Sequence, residues 1–296
     1  MIDLHMHSNF SDGYYSPAEL VEQIFALGLK AAALTDHDMV DGCSEFKQAA
    51  SKYNLSVLNG AELSADYSRV PMEILALNIP DKNISAFQEY QKYMINERFR
   101  VAEQRLELLK KQGIDLSWND VAYYENGNLR RQIGKPHIVA AMLKAGYIKN
   151  WDEGFDKYLN KGCPAHVAKK EPLYKDVIAF IADNGAIPVL AHPIHTKCEG
   201  KRLFEVLKEL KKCGLKGVEV FHSDHSVGLK NEYLKMAEEL KLISSGGSDF
   251  HGEAHPEVKL GVGKGDLYVP DLIFDVIAGY ETSVSQAYYN ELRKFI

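Results

Sequence analysis

Strand and helix signals alternate along much of this chain, and that alternation most narrows the folds that it can adopt. Buried-strand patterns at 30–34 and 187–191 are each followed by a helical pattern. The helix that begins at Pro17 has a capping box, with Ser16 at the N-cap and Glu19 three residues later. Alternation of this kind predicts an α/β protein, and 296 residues suffice for one β/α barrel or for a barrel with an inserted piece.

Composition argues against several classes of protein. The apolar runs are only as long as a strand, and the chain opens without the pattern of a signal peptide, so we expect neither a transmembrane span nor a secreted protein. The four cysteines include no Cys-x-x-Cys pair, which argues against a zinc ribbon or a disulfide framework and fits a reducing cytoplasm. A formal net charge of −6 disfavours a long nucleic acid as partner, although bound cations could attract a small phosphorylated ligand.

The alternation is interrupted in the middle of the chain. Over 84–112, apolar residues recur at helical spacing, Gly113 ends the helix, and shorter helical patterns follow. Strands and helices alternate again afterwards. We therefore predict a barrel made of 1–83 and 166–296, with a helical insertion at 84–165.

Two histidines near the start of the chain could bind a metal ion. His5 and His7 alternate with the apolar residues Leu4 and Met6, as expected for a half-buried strand, so both imidazoles leave the same face. Two such rings are close enough to share one cation. On their own, however, the pair could equally be ordinary core or surface histidines.

Further histidines and carboxylates follow the other predicted strands. They are His37, Glu62, His192, His222, Asp249 and His251. In β/α barrels the carboxyl ends of the strands meet at one mouth, so we expect these side chains to converge there. Each residue alone could be an ordinary polar group at a strand end, but the whole set indicates a metal site.

The motifs that contain these residues resemble those of the polymerase and histidinol phosphatase (PHP) superfamily of metal-dependent phosphoesterases. They are His5-x-His7 with Asp12, Thr35-Asp36-His37-Asp38, Gly60-Ala61-Glu62, Ala191-His192-Pro193 and Gly247-Ser248-Asp249-Phe250-His251. The segments 131–137 and 217–222 are similar to one branch, which includes nucleoside 3′,5′-bisphosphate phosphatases, 5′-end nucleases and a phosphoribosyl cyclic phosphate diesterase. The resemblance covers nearly the full chain. It implies a distorted, TIM-like (β/α)7 barrel with a helical insertion and up to three metal ions in its mouth.

The resemblance also implies a set of metal ligands. A first ion would be bound by His5, His7, Glu62 and Asp249, a second by Glu62, His192 and Glu73, and a third by Asp12, His37 and His251. The sequence departs from the family pattern at Glu73, where we expect a histidine. Its carboxylate could still bind, favouring Mn²⁺ or Fe²⁺, or it could point away and leave the second site weak or empty. The donors suit two or three divalent ions, for which we predict Mn²⁺, with Fe²⁺ or Zn²⁺ as alternatives.

The remaining site predictions concern proton transfer and substrate binding. Paired ions about 3.5–4 Å apart can share a hydroxide and orient it for in-line attack on phosphorus. His222 and His195 are candidates to protonate the leaving group, with a supporting or surface role as the alternative, and His222 would also contact substrate. Lys135 and His137, at the start of a predicted helix, together with Arg131 would bind a second phosphate, unless these charges merely solvate a loop.

We therefore predict a metal-dependent phosphoesterase that acts on a small nucleotide-like ester. The predicted reaction releases the 3′-phosphate of a nucleoside 3′,5′-bisphosphate and leaves the 5′-monophosphate. The alternatives within the class are hydrolysis of a phosphoribosyl 1,2-cyclic phosphate and 5′–3′ trimming of short oligonucleotides. A non-catalytic barrel that binds metal structurally or acts as an interaction module is the alternative from another class.

Overall fold

The computed structural model describes residues 1–68, 70–123, 130–131, 133–168, 170–279 and 284–296. The chain forms two compact units. The first contains Met1–Gln88 and Glu171–Ile296, and the second contains Glu89–Lys170. Among the described residues, no helix combines the length and the apolar character that crossing a membrane requires.

The helices and strands alternate for most of the described chain. In order, they are α1 (Pro17–Ala26), β1 (Ala31–Leu34), α2 (Gly42–Ser51), β2 (Ser56–Tyr67), β3 (Val70–Leu77), α3 (Ile84–Lys111), α4 (Trp118–Ala122), α5 (Lys135–Lys144), α6 (Trp151–Gly154), α7 (Tyr174–Asp183), β4 (Ile187–Leu190), α8 (Gly200–Lys212), β5 (Gly217–His222), α9 (Val227–Leu240), β6 (Ile243–Gly247), α10 (Asp271–Gly279) and α11 (Gln286–Leu292). A π-helical turn, Phe155–Leu159, follows α6 directly. The chain is thus an α/β protein, as predicted.

The strands form one sheet in the order β1-β2-β3-β4-β5-β6. The pairs β1–β2, β4–β5 and β5–β6 are parallel, whereas β3 is antiparallel to both of its neighbours. The alternation of strands and helices is therefore interrupted at β2 and β3. These strands form a hairpin in which Tyr67 pairs with Val70, and this connection is too short to contain a helix.

The segment 2–7 lies between the two edge strands of this sheet. On one side, the Asp3 N–H donates to the Ala31 carbonyl of β1 at 3.1 Å. On the other side, the Leu4 N–H donates to the Gly246 carbonyl of β6 at 3.2 Å. The segment therefore connects both edges of the sheet and brings its two histidines to the ends of the neighbouring strands.

The segment 2–7 is extended, but it forms only isolated bridges instead of the regular strand that the alternation predicts. The reason is that side chains accept two of its backbone donors. The His5 N–H donates to Asp3 Oδ1 at 3.2 Å, and the Met6 N–H donates to Thr35 Oγ1 at 3.1 Å. These bonds use donors that a continuous ladder would require.

Each compact unit has its own apolar core. In the first unit, Leu20 and Ile24 of α1 pack with Met6. In the second unit, Leu109 of α3 packs with Ile138 of α5. The units therefore do not depend on a single shared core for the burial of their apolar residues.

Gly247 allows the close approach of β6 to the amino-terminal segment. A Cβ atom at this position would lie 2.3 Å from the His5 nitrogen and 2.4 Å from the His5 Cβ. We expect Gly247→Ala to lower the free energy of unfolding by about 1–3 kcal/mol, because the backbone must move to relieve the overlap. Denaturant unfolding of the two proteins measures the difference.

Gly228→Ala in α9 is the matched control. The nearest atom to a Cβ there is 3.7 Å away, so alanine fits and favours the helix by up to about 1 kcal/mol. Equal stability of the Gly247 and Gly228 variants would show that the close approach is not a constraint.

Candidate metal centre

Polar side chains from seven parts of the first unit converge where the segment 2–7 meets the strand ends. They are His5, His7, Asp12, His37, Glu62, Glu73, His192, His222, Asp249 and His251. Four of them follow a strand, namely His37, His192, Asp249 and His251, but Glu62 lies in the middle of β2, which continues beyond it. The sequence-based expectation that Glu62 follows its strand is therefore wrong, although its side chain still reaches the cluster.

The first group of candidate ligands consists of His5, His7, Glu62 and Asp249, whose ligand atoms all lie within 4.8 Å of one another. His7 Nε2 is 3.1 Å from Asp249 Oδ1 and 3.4 Å from Glu62 Oε2. His5 Nε2 is 3.4 Å from an oxygen of each carboxylate. The structure therefore brings together the four side chains that the family resemblance implies for one ion.

The second group consists of His7, Asp12, His37 and His251. The Asp12 carboxylate lies 3.5 Å from His251 Nε2 and 3.7 Å from His37 Nε2. The His7 ring is between the other two imidazoles, with centroid distances of 4.1 Å to His251 and 4.4 Å to His37. His7 thus belongs to two groups, and the resemblance had implied it for one ion only.

Glu73 points into the cluster. Its carboxylate lies 3.4 Å from His192 Nε2 and 3.5 Å from His37 Nδ1. The antiparallel register explains this position, because Glu73 of β3 is paired with Ser64, two residues along β2 from Glu62, and so projects from the same face of the sheet. A carboxylate is therefore available at the position where the family pattern has a histidine.

Several polar atoms of the cluster are buried without a hydrogen-bond partner. They are His5 Nε2, both ring nitrogens of His7, Asp12 Oδ1, Glu62 Oε2, His222 Nε2 and Asp249 Oδ1. Unsatisfied buried groups of this kind are costly, and divalent cations would satisfy the lone pairs of the carboxylates and of those imidazole nitrogens that carry no proton. The donor set contains nitrogen and oxygen but no thiolate, which fits Mn²⁺, Fe²⁺ or Zn²⁺.

The carboxylates change the protonation of the surrounding histidines. Burial alone would lower the pKa of His192, but the carboxylates of Glu62 and Glu73 raise it to about 9. Burial would also lower the pKa of His251, but the carboxylates of Asp12 and Asp249 raise it to about 9. Buried His7 differs, because the neighbouring imidazoles help to lower its pKa to about 3. Without metal, protons therefore balance part of the negative charge.

Metal binding is expected to release protons. Because His192 and His251 have pKa values of about 9 without metal, both are largely protonated at pH 8 and must lose protons to become ligands. Calorimetric titration with Mn²⁺ in buffers of different ionisation enthalpy should show release of more than one proton per protein at pH 8. The number should fall as the pH rises through 9. A heat of binding that does not depend on the buffer would contradict this expectation.

The two candidate proton donors occupy different environments. His222 is buried, and its Nδ1 accepts the Asp224 backbone N–H at 3.1 Å. In the neutral ring the proton is therefore on Nε2, which lies 3.6 Å from Asp249 Oδ2. His195 is more exposed, and its Nε2 lies 3.1 Å from Asp224 Oδ2. His222 can thus donate a proton toward the cluster, whereas His195 is paired with a carboxylate outside it.

Two cavities border the cluster within the first unit. One, of about 180 Å³, is lined by Glu73, His192 and His195. The other, of about 290 Å³, is lined by His222, Asp249 and Lys264, among others. Both have room for a phosphate group and part of its ester beside the candidate ligands.

The three residues predicted to bind a second phosphate lie in the second unit. Lys135 begins α5, and its Nζ is 3.4 Å from Asn160 Oδ1. His137 is buried, and its Nδ1 accepts the Gly134 N–H at 3.0 Å, so this ring caps its own helix. Arg131 is exposed. The amino end of α5 therefore presents cationic side chains and helical N–H groups within this unit.

The sequence analysis missed four supporting carboxylates. Asp3 accepts from Ser248, Asp36 from Ser8 and Ser11, and Asp38 from Ser64, so each ties a ligand-bearing segment to its neighbour. The fourth is Glu219 of β5, which contacts His5. The available signal was an acidic residue inside an otherwise apolar strand, 217–221.

Comparison with known proteins shows similarity to the PHP domain and to several phosphoric ester hydrolases. Residues 3–147 match the model of the PHP domain. A 3′,5′-nucleoside bisphosphate phosphatase from Chromobacterium violaceum is 29% identical over 84% of this chain and 87% of its own length. A 5′-3′ exoribonuclease from Haemophilus influenzae is 29% identical, with 84% and 89% covered. A phosphoribosyl 1,2-cyclic phosphate 1,2-diphosphodiesterase from Eggerthella lenta is 26% identical, with 85% and 94% covered.

A solved structure extends the similarity to nearly the whole chain. The crystal structure of a candidate metal-dependent phosphoesterase from Bifidobacterium adolescentis superposes with a TM-score of 0.79 and 28% identity, covering 97% of this chain and 98% of that one. The α/β fold and the cluster of imidazoles and carboxylates define a metal-dependent phosphoric ester hydrolase. Residues 3–147 thus carry a PHP domain, as the sequence motifs indicated.

Proposed function

We propose that this phosphoesterase removes the 3′-phosphate of a nucleoside 3′,5′-bisphosphate and leaves the 5′-monophosphate. The observation that carries the proposal is the position of Glu62, which lies in one group of candidate ligands with His5, His7 and Asp249 and in another with His37 and Glu73. A carboxylate in two groups supports a centre of more than one ion acting on a single phosphoryl group. The similarity to a bisphosphate phosphatase over most of both chains supports this substrate.

The proposed ligands are those of the sequence analysis. His5, His7, Glu62 and Asp249 would bind one ion, Glu62, Glu73 and His192 a second, and Asp12, His37 and His251 a third. Their mutual distances and unsatisfied buried atoms support the assignment. Mn²⁺ is the proposed metal, with Fe²⁺ or Zn²⁺ as alternatives. When bound, such ions polarise phosphoryl oxygens and acidify water.

The protein's own side chains would perform the remaining steps. We propose His222 as the donor at the leaving oxygen, because the Asp224 N–H bond to Nδ1 leaves its ring proton on Nε2, from which it can hydrogen-bond to that oxygen as negative charge develops there. His222 would also contact the ester through the cavity that it lines. His195 is the second candidate donor, and its pairing with Asp224 favours an orienting role at the cavity edge.

The cyclic phosphate diesterase stays the main alternative, because the expected histidine is replaced by Glu73 and a relative has that activity by name. Trimming of short oligonucleotides is supported in the same way by the exoribonuclease relative. Phosphate release or ester hydrolysis by Mn²⁺-loaded protein should be measured with adenosine 3′,5′-bisphosphate, phosphoribosyl 1,2-cyclic phosphate and a 5′-phosphorylated trinucleotide.

We expect turnover of the bisphosphate at the highest kcat/KM. Asp249→Ala should lower kcat/KM for the bisphosphate about a thousandfold or more. The substitution removes a carboxylate that lies 3.4 Å from His5 Nε2 and 3.1 Å from His7 Nε2. Preference for either of the other substrates would overturn the proposed substrate and keep the phosphoesterase class. Partner binding without turnover of any ester would instead favour the non-catalytic alternative.

Lys135, His137 and Arg131 are proposed to bind the second phosphate. Lys135→Ala should raise KM for the bisphosphate about tenfold, since one charge-assisted hydrogen bond is lost, and should leave KM for a singly phosphorylated ester unchanged. Lys157→Ala is the matched control, because this exposed lysine of the same unit pairs only with Glu153 among the contacts that the structure describes. Equal effects on both substrates would remove Lys135 from the proposed phosphate site.

We also propose the predicted domain division, with a barrel of 1–83 and 166–296 and an insertion at 84–165. The two compact units support a division near these boundaries, and the bonds of segment 2–7 to both sheet edges support its role as the closing member of a seven-stranded barrel. A cytoplasmic location is proposed on the evidence that all four cysteines are free thiols.

A further inference from the structure

Glu219 is a fully buried carboxylate in the middle of β5. Its neighbours along the strand, Val218 and Val220, are buried apolar residues, and its own exposed fraction is 0%. A carboxylate at such a place is costly unless charged or hydrogen-bonding groups compensate it. None of the three ligand groups proposed above contains Glu219, so its burial needs a separate explanation.

Its contacts connect two of the proposed ligands. Oε1 lies 3.1 Å from His5 Nδ1, and Oε2 lies 3.4 Å from the same nitrogen. Oε2 also accepts the backbone N–H of His192 at 2.8 Å. One side chain therefore contacts the ring of a ligand proposed for the first ion and the backbone of a ligand proposed for the second.

The contact with His5 determines which ring nitrogen is available to a metal ion. An ionised carboxylate can only accept hydrogen bonds, so His5 Nδ1 must carry the proton and donate it. The lone pair of Nε2 then points toward Glu62 and Asp249, each 3.4 Å away. A carboxylate in this arrangement keeps a metal-binding imidazole in the required tautomer and orientation.

The contact with His192 stabilises an unusual backbone conformation. His192 has φ 20° and ψ 71°, outside the regions that non-glycine residues usually occupy. The bond from its N–H to Glu219 is the contact that ties this peptide to β5. The direction in which the His192 ring leaves the backbone therefore depends on the same carboxylate that orients His5.

We propose that Glu219 is a positioning residue that fixes the His5 tautomer and the His192 backbone together, and thereby couples the first and second ion sites. The inference rests on the ligand roles proposed for His5 and His192 and is independent of the proposed substrate.

Glu219→Gln tests the tautomer directly, since it changes one oxygen to an NH₂ group at nearly constant shape. The backbone N–H of His192 can only donate, so the amide oxygen must take the place of Oε2. The NH₂ group then faces His5 Nδ1 and favours the ring with its proton on Nε2, where a metal ion would have to bind. We expect Mn²⁺ affinity to fall about 10- to 100-fold.

Glu209→Gln is the control. Both carboxylate oxygens of Glu209 are also occupied, but their partners are the hydroxyl groups of Tyr67 and Tyr174, each at 2.6 Å, and neither is a proposed ligand. A hydroxyl can reverse from donor to acceptor, so an amide can be accommodated there without a change in any imidazole. This variant should bind Mn²⁺ within about threefold of the wild-type affinity.

The experiment measures Mn²⁺ affinity and stoichiometry by competition with a chelating dye, together with ¹⁵N-histidine NMR spectra of the Zn²⁺-loaded proteins. His5→Ala identifies the His5 signals in the spectra. It also gives the loss of Mn²⁺ affinity that removal of one proposed ligand causes. Weaker Mn²⁺ binding by Glu219→Gln, with loss of the metal-bound His5 signal and wild-type behaviour of Glu209→Gln, would support the inference. Wild-type affinity and spectrum in Glu219→Gln would overturn it.

Two further outcomes are distinguishable. If His5→Ala keeps the full metal content, the proposed ligand assignment fails, and the inference about Glu219 fails with it. If Glu219→Gln does not fold, Glu219→Asp replaces it, because aspartate remains an acceptor but is too short to keep both contacts. Weakened metal binding by folded Glu219→Asp then supports the inference, and unchanged affinity overturns it.

Discussion

The constraint on which this structure depends is the burial of many imidazole and carboxylate groups in one place. Glu62 is fully buried and lies within 3.5 Å of four histidines, so its charge must always be balanced. Protons can balance it without metal, as the raised pKa values of His192 and His251 show. Divalent cations would replace those protons. The surrounding carboxylates and serines then keep each ligand-bearing segment at its place around this charge.

The location of the site followed from the sequence because its residues recur at strand ends. His37, His192 and Asp249 each follow a short apolar strand, and the ends of such strands meet wherever the sheet closes. The orientation of Glu73 could not be derived, because it depends on the antiparallel register of β2 and β3. Periodicity alone does not distinguish a parallel strand from a hairpin partner. The helices and strands could thus be predicted from the sequence, but the antiparallel direction of β3 could not.

The supporting residues were harder to predict than the candidate ligands. Glu219 occurs in a strand that is otherwise apolar, and sequence alone does not say whether such a carboxylate binds an ion, a proton or another side chain. Its role depends on which groups it meets in three dimensions, namely a ring from the start of the chain and a peptide that follows β4. The same holds for Asp3 and Asp36, whose partners are serines in other segments.

The hydrogen bond between Asp3 and Ser248 spans nearly the whole chain. During synthesis on the ribosome, His5 and His7 emerge early, whereas Asp249 and His251 emerge only after the second compact unit and most of the first have been made. No nascent chain that ends before Asp249 contains the complete set of candidate ligands. Binding of metal by the complete set would therefore be a late event in biogenesis, and a translation product truncated before Asp249 would lack part of the set. Contacts of such long range also slow folding, because a large loop must close before they form.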